Sequence, residues 1–269
     1  MEINRSNIKD IISRCSIKPS KDYGQNFLID SNVSFKIVEA LEVKEGDRVL
    51  EIGPGLGSLT HFLSLTKAKI NAVDVDNKMT NFLRNVYQGC ENLTIVENDI
   101  RREDVSFYDK IIGNIPYNIT TEIIQYILLN AERAQTMVFM VQAEAFNRFS
   151  DIKGKEYGPI SILIHLLGNI EKISTVKPGS FYPLPKCNSI VFRIKINEDV
   201  DRKKAIEIYK MCKKIFVSRR KTIQNNLTSI VKNKETAEML CHEFNINPLS
   251  RPEDLSPNTY LLIYNYLNR

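Results

Sequence analysis

Asn114-Ile115-Pro116-Tyr117 sets in a row four groups that one demanding reaction needs together. The exocyclic amine of adenine is a poor nucleophile, because its lone pair is delocalised into the ring. A side-chain amide oxygen and a backbone carbonyl, each accepting one amine hydrogen, draw that pair out of conjugation; Asn114 and Ile115 suit these roles. Pro116 locks its own φ and brings no N–H to compete. Tyr117 offers a π face on which an extruded base could stack. The same four residues also suit a turn that ends a strand, with Tyr117 capping the core.

A second constellation lies upstream. Glu51-Ile52-Gly53-Pro54-Gly55-Leu56-Gly57 reads as a strand-to-helix turn in which glycines let backbone approach a ligand closely. The spacing departs from the dinucleotide fingerprint, whose third glycine stands three residues after the second. Glu51, just before the turn, disfavours a pyrophosphate and suits a cationic sulfonium or amino-acid group. Asp74 follows about twenty residues later, placed to bind both ribose hydroxyls. Asp99 follows the next strand, where it can accept from an adenine amine, and Asp76 reads as a helix cap. Singly, each acid suits a cap or a turn. Together at successive strand ends, with Asn114 after the next one, they point to S-adenosyl-L-methionine as cofactor.

The elements that must position these groups follow from the apolar pattern. Strands are predicted at 48–52, 69–73, 93–96, 110–113 and 136–141, and helices at 59–65, 78–86 and 120–129. This alternation implies an α/β fold: a Rossmann-like, mostly parallel sheet with helices on both faces. A helical stretch near 157–167 precedes two late strands, 172–176 and 189–196, with no clear helix between them. They suit an antiparallel hairpin at the sheet edge, completing a seven-stranded methyltransferase-type sheet. From residue 201 the spacing is helical throughout, at 206–217, 223–230, 237–244 and 255–267, with Ser256 as a cap ahead of Pro257. The domains expected are therefore 1–200 for cofactor binding and catalysis and 201–269 as a small all-α domain.

Charge divides along the same line. Residues 1–200 carry 24 Lys and Arg against 25 Asp and Glu, whereas residues 201–269 carry 13 against 7. A basic terminal segment on a neutral body suits either a polyanion-binding surface or a solvated helix face. No apolar run approaches the roughly 20 residues needed to span a bilayer, and the amino terminus lacks a signal pattern, so no membrane role is expected. Five scattered cysteines read as reduced thiols in a cytoplasmic protein. They and the three histidines show no metal-ligand spacing, so no metal is expected.

These motifs resemble the ribosomal RNA adenine N6,N6-dimethyltransferase family over nearly the whole chain. Gly24-Gln25-Asn26-Phe27-Leu28 resembles its amino-terminal cofactor-gating motif, which implies that Asn26 and Leu28 contact the methyl donor. Gly53, Gly55, Asp74, Asp99 and Asn114 fall on its cofactor positions, so Asn114 would serve donor and substrate alike. Phe181-Tyr182-Pro183-Leu184-Pro185-Lys186 resembles its late loop, which implies that Phe181 closes over the target adenine opposite Tyr117. Phe181 alone would read as a hydrophobic plug.

Two branches of the family compete. Ile115 is commoner in the branch that methylates one large-subunit (23S) adenosine and confers macrolide resistance. The run from Phe216 to Leu227 and Arg251-Pro252-Glu253-Asp254-Leu255-Ser256 resemble the small-subunit (16S) signature, and these longer motifs decide. The resemblance implies dimethylation of two adjacent adenosines in the 3′-terminal hairpin of 16S rRNA. The partner would be small-subunit rRNA in an immature 30S-type particle, with the enzyme monomeric and Arg219, Arg220 and Lys221 contacting RNA phosphates. A binding-only assembly or transcription factor on the same fold is the rival of another class, and a nicotinamide oxidoreductase is a more distant one.

Overall fold

The computed structural model describes residues 1–14 and 25–268. Gly24 of the amino-terminal motif, and Cys15, lie outside the described residues. A first helix, α1 (Ile8–Arg14), precedes β1 (Phe27–Leu28) and α2 (Ser31–Ala40). Strand and helix then alternate: β2 (Arg48–Ile52), α3 (Ser58–Ser64), β3 (Lys69–Asp74), α4 (Asn77–Val86), β4 (Leu93–Glu97), a 3-10 turn at Ile100–Arg102, β5 (Lys110–Asn114), α5 (Thr120–Asn130) and β6 (Thr136–Gln142). Helices α6 (Ala143–Ser150) and α7 (Pro159–Leu167) follow, then β7 (Gly168–Val176), β8 (Phe181–Tyr182) and β9 (Ser189–Ile196). The chain ends in α8 (Arg202–Val217), α9 (Ile223–Val231), α10 (Lys234–Glu243) and α11 (Pro257–Leu267).

The chain divides into two compact units. One comprises Met1–Ala145 with Ile170–Ile196, the other Phe146–Asn169 with Asn197–Arg269. In the first, a seven-stranded sheet runs in the order β4-β3-β2-β5-β6-β9-β7. Strands β4, β3, β2, β5 and β6 are mutually parallel, and β9 is antiparallel to β6 from Thr136↔Lys195 to Gln142↔Ser189. The near-continuous burial of β5 and β6 is what a parallel sheet covered on both faces requires. Strand order reverses between β2 and β5, so a crevice opens beyond their carboxyl ends, the usual ligand position in such sheets.

Helix α4 shows how locally this order is encoded. Asp76 caps it by accepting from the Lys78 amide, while Met79, Thr80 and Leu83 form its buried face. Helices α2 and α6 were not among the elements expected from the apolar pattern. In α6 only Phe149 is buried, and α2 buries only Ser34, Ile37 and Val38 behind an Asp30 cap. The two-residue ladder that pairs Phe27 with Tyr182 and Leu28 with Phe181 joins segments too far apart for any local period to show.

The second unit has its own core, in which Tyr157 and Ile162 pack with Ile208, Cys212, Ile223, Leu240 and Tyr260. Residues 146–169 group here, whereas the sequence boundary at 200 kept them with the sheet. The apolar run of α7 suits either core, and only its packing against α8 decides. Ser256 caps α11 as expected, accepting from the Thr259 amide.

Candidate active site

The carboxyl ends of β2, β3, β4 and β5 deliver the site. The loop after β2 turns through Gly53, Gly55 and Gly57 at φ of 64°, 53° and 92°, values that side chains rarely tolerate. A Cβ on Gly55 would also meet the Phe27 ring at 3.2 Å, so the loop seats closely against β1. Asp74, at the end of β3, grips this loop. One of its oxygens accepts from the Gly55 amide at 3.1 Å and the other from the Asp76 amide at 2.9 Å. Burial outweighs those two bonds and lifts its carboxyl to about 6. Glu51 is only 1 % exposed, and burial pushes it up to about 8. The Thr60 hydroxyl lies beside it, yet neither carboxylate oxygen has a well-formed hydrogen bond among the described residues.

Beyond β4, Asp99 caps the Ile100–Arg102 turn by accepting from the Arg101 amide at 3.0 Å. The Arg101 side chain returns to the same carboxylate, Nη2 donating to Oδ2 at 2.7 Å and Nε to Oδ1 at 3.0 Å. These bonds hold the Asp99 carboxyl below the ordinary range.

Asn114 ends β5. Its Nδ2 donates to the backbone carbonyl of Asn26 at 3.2 Å. Because that carbonyl can only accept, the amide must turn its N–H₂ there, which fixes Oδ1 as the end left for a ligand amine. Ile115 is fully buried and its amide donates to the Met140 carbonyl at 3.0 Å. The Pro116 carbonyl accepts from the Thr120 hydroxyl at 2.9 Å, tying the turn to the first residue of α5. The Tyr117 hydroxyl lies 2.9 Å from that of Ser189 on β9, which limits the swing of the ring. Burial raises the Tyr117 phenol, so it remains neutral.

A cavity of about 280 Å³ brings these groups together. Asn26, Leu28, Glu51, Gly53, Gly55, Asp74, Asp99 and Asn114 all line it, as do Ile115, Pro116 and Tyr117. Phe181 does not. Its side chain is 2 % exposed and packs in the main core with Leu28, Leu59 and Val191, where the expected second face of a base clamp is not formed. The β1–β8 ladder explains this, because Leu28 and Phe181 are register partners and an aromatic there fills the core. Sequence reasoning assigned no role to Phe27, Arg101 or Ser189. Only Arg101 left a signal, in the basic pair after Asp99.

The donor set suits an adenosyl amino acid. Glu51 is a buried carboxylate short of partners, Asp74 ends β3, Asp99 follows β4, and Gly53 and Gly55 line the cavity with no side chain of their own. No group of three or more His, Cys, Asp or Glu able to hold a metal occurs among the described residues.

The predicted RNA-contacting trio sits on the turn between α8 and α9. Asn226, only 4 % exposed, organises it: its Nδ2 donates to the carbonyls of Ser218, Lys221 and Thr222 at 3.1–3.3 Å. Thr222 caps α9 on the Asn225 amide. Asn226 and Thr222 therefore shape the turn. Arg219 is turned inward, with Nη2 donating to the Gly154 carbonyl at 2.7 Å and Nε 3.2 Å from Glu253. Arg220 and Lys221 are exposed.

Comparison with known proteins agrees with this geometry. The ribosomal RNA adenine dimethylase family matches residues 17–269. "Ribosomal RNA small subunit methyltransferase A" of Lactobacillus acidophilus is 35 % identical over 280 residues, covering 95 % of this chain and 93 % of the relative. A dimethyladenosine transferase from Plasmodium falciparum has the same fold, with a TM-score of 0.77 at 24 % identity over 90 % of this chain and 98 % of that one. The 23S rRNA methyltransferase ErmE shares it too, with a TM-score of 0.72 at 24 % identity over 91 % and 100 %. The Asn114–Tyr117 turn at the end of β5 stands within a match spanning both units, and the chain belongs to the ribosomal RNA adenine dimethylase family.

Proposed function

We propose that this enzyme dimethylates N6 of two adjacent adenosines in the 3′-terminal hairpin loop of small-subunit 16S rRNA, with S-adenosyl-L-methionine as methyl donor. The carrying observation is one cavity lined both by the acids suited to an adenosyl donor and by the Asn114–Tyr117 turn. The names of the relatives favour the small-subunit target over the 23S one.

When bound, S-adenosyl-L-methionine supplies an electrophilic methyl group. Glu51, Asp74 and Asp99, which line the cavity, would hold it: Glu51 suits its cationic portion, Asp74 its ribose hydroxyls and Asp99 its purine amine. Asn114 Oδ1 and the Ile115 carbonyl accept the two hydrogens of the target amine, which favours a pyramidal nitrogen with its lone pair exposed. Tyr117 supplies the stacking face, steadied by Ser189. No strong general base is needed, because the alkylated amine is acidic enough to release its proton to solvent. Phe181, if it joins the clamp, must leave the core contacts it makes in this conformation. Arg220 and Lys221 contact phosphates, which positions RNA without reading its sequence.

The partner is an immature 30S-type particle, met by a monomeric cytoplasmic enzyme whose residues 1–200 carry the chemistry and 201–269 the RNA surface. Among the described residues no helix is long and apolar enough to cross a membrane. The deciding experiment incubates the protein with labelled methyl donor and each immature ribosomal subunit, then maps the modified adenosines. Two adjacent labelled adenosines in the small-subunit hairpin are expected. Label confined to the large subunit would reverse the target, and no label would favour a binding-only role.

A further inference from the structure

Arg101 occupies an unusual place for a surface arginine. It lines the cavity and is held from two elements: besides its fork on Asp99, its Nη1 donates to Glu122 Oε2 at 2.9 Å. Glu122 stands in the first turn of α5, the helix entered directly from the Asn114–Tyr117 turn. An isolated exposed ion pair contributes little, because water screens it and long side chains lose entropy. Here the planar guanidinium is held at both ends, and its bonds to Asp99 fix the plane of a carboxylate on the cavity wall. The Asp99 carboxylate is 25 % exposed and the arginine 42 %, so both remain reachable from the cavity.

We propose that Arg101 is a positioning residue for the methyl donor: it holds the Asp99 carboxylate in the plane that accepts from the donor's purine amine, with Glu122 as its second tether. This rests on the proposed reading of the cavity as an adenosyl-donor site. A carboxylate pinned in this way acts only as an acceptor. It therefore favours a purine bearing an amine over one bearing a keto oxygen. Arg101 and Arg102 face Asp99 from its own turn, and both favour its anion. Glu122 and Tyr126 face it from α5; Glu122 pairs with Arg101, and Tyr126 donates its hydroxyl to the Glu103 carbonyl.

The test compares the full-length protein with Arg101→Gln, Arg101→Lys and Glu122→Gln, titrating S-adenosylhomocysteine and its deaminated inosyl analogue calorimetrically from pH 4 to 8. Arg101→Gln should weaken binding of the adenosyl compound about tenfold, the worth of one charge-assisted hydrogen bond. It should also narrow the preference over the inosyl compound. Toward pH 4 the adenosyl compound should lose more affinity for Arg101→Gln than for wild type, because Asp99 loses the hydrogen bonds and cation that keep it ionised; Asp74 titrates in both proteins, and a merely structural role would leave the two acid limbs parallel. Arg101→Lys keeps charge without the fork and should fall between the two, and Glu122→Gln should act in the same direction more weakly. At saturating donor, kcat on rRNA should change by less than about twofold, since Arg101 does not touch the reacting amine. If wild type binds the adenosyl compound and Arg101→Gln matches it in affinity, preference and acid limb, the inference is overturned. If wild type binds neither compound, the donor-site reading itself fails.

Discussion

The cavity wall and the turn between α8 and α9 use the same device for opposite ends. In each, a buried polar side chain is spent on backbone groups: Asp74 grips the amides of Gly55 and Asp76, and Asn226 grips three carbonyls. At the cavity the gripping group itself lines the space, held in place by the backbone. At the turn the gripping group is hidden, and what it presents are its neighbours Arg220 and Lys221, exposed to water. Chemistry on a weak nucleophile needs preorganised groups out of water, where electrostatics are strong. Anchoring a polyanion needs exposed cations, whose grip is shared out and salt-dependent. Substitutions in the first region should thus change rates steeply, and those in the second should change affinity by degrees.

Asn114→Ala probes the steep side. Turnover on rRNA should fall by about 100-fold or more, the cost of losing one preorganised group aimed at the reacting atom. The melting temperature should stay near the native value, since the lost bond to the Asn26 carbonyl is a single partly exposed one. Single-turnover methyl transfer at saturating donor is the measurement. A normal rate would remove Asn114 from the chemistry and leave the turn a structural feature.

Phe181→Ala separates core from site within the first unit. A fully buried phenylalanine truncated to alanine costs about 3–5 kcal/mol, which urea denaturation would read directly. Unchanged stability with lost turnover would instead support the base clamp and show that the ring leaves the core during catalysis.

The two roles proposed for Phe181 also mark how far the sequence could be read. Strands 48–52 and 189–196 were legible to the residue, because each is mostly buried and so largely apolar. The acids at successive strand ends were legible too, since a doubly wound sheet puts every such end at one edge. What stayed hidden depends on pairs distant in the chain. The β1–β8 ladder that buries Phe181, the bond from Asn114 to the Asn26 carbonyl and the Tyr117–Ser189 pairing leave no local period. Asn226 was hidden in the same way, because nothing local shows that its side chain is turned inward to the turn's own carbonyls.

Reversing both exposed cations, Arg220→Glu with Lys221→Glu, tests the graded side. Affinity for small-subunit rRNA should fall, and the slope of log K against log salt should flatten by about 1–2, roughly one for each phosphate that is no longer neutralised. Arg219→Glu should behave differently. It breaks the pair with Glu253 and the bond to the Gly154 carbonyl, so lower stability should accompany weaker binding. If the double reversal left the salt slope unchanged, the turn would not belong to the RNA interface.

Glu51 gives the smallest effect and the sharpest test of the buried side. Burial raises its carboxyl to about 8, far above the roughly 4.3 of an unfolded chain. Between those values the folded protein binds more protons than the unfolded one. The stability linked to the neutral carboxyl is therefore complete below about pH 4 and is lost as pH rises through about 8. Asp74, raised to about 6, adds a loss of the same sign at lower pH, but it is present in both proteins compared and largely cancels. Glu51→Gln keeps a neutral side chain of the same shape that cannot ionise. Its melting temperature should thus match wild type near pH 5 and exceed it by a few degrees at pH 9. Saturating methyl donor should narrow that gap, because a bound cation favours the carboxylate that glutamine cannot form. Parallel curves with and without donor would mean that Glu51 senses no charge in the cavity, and that its burial serves the fold alone.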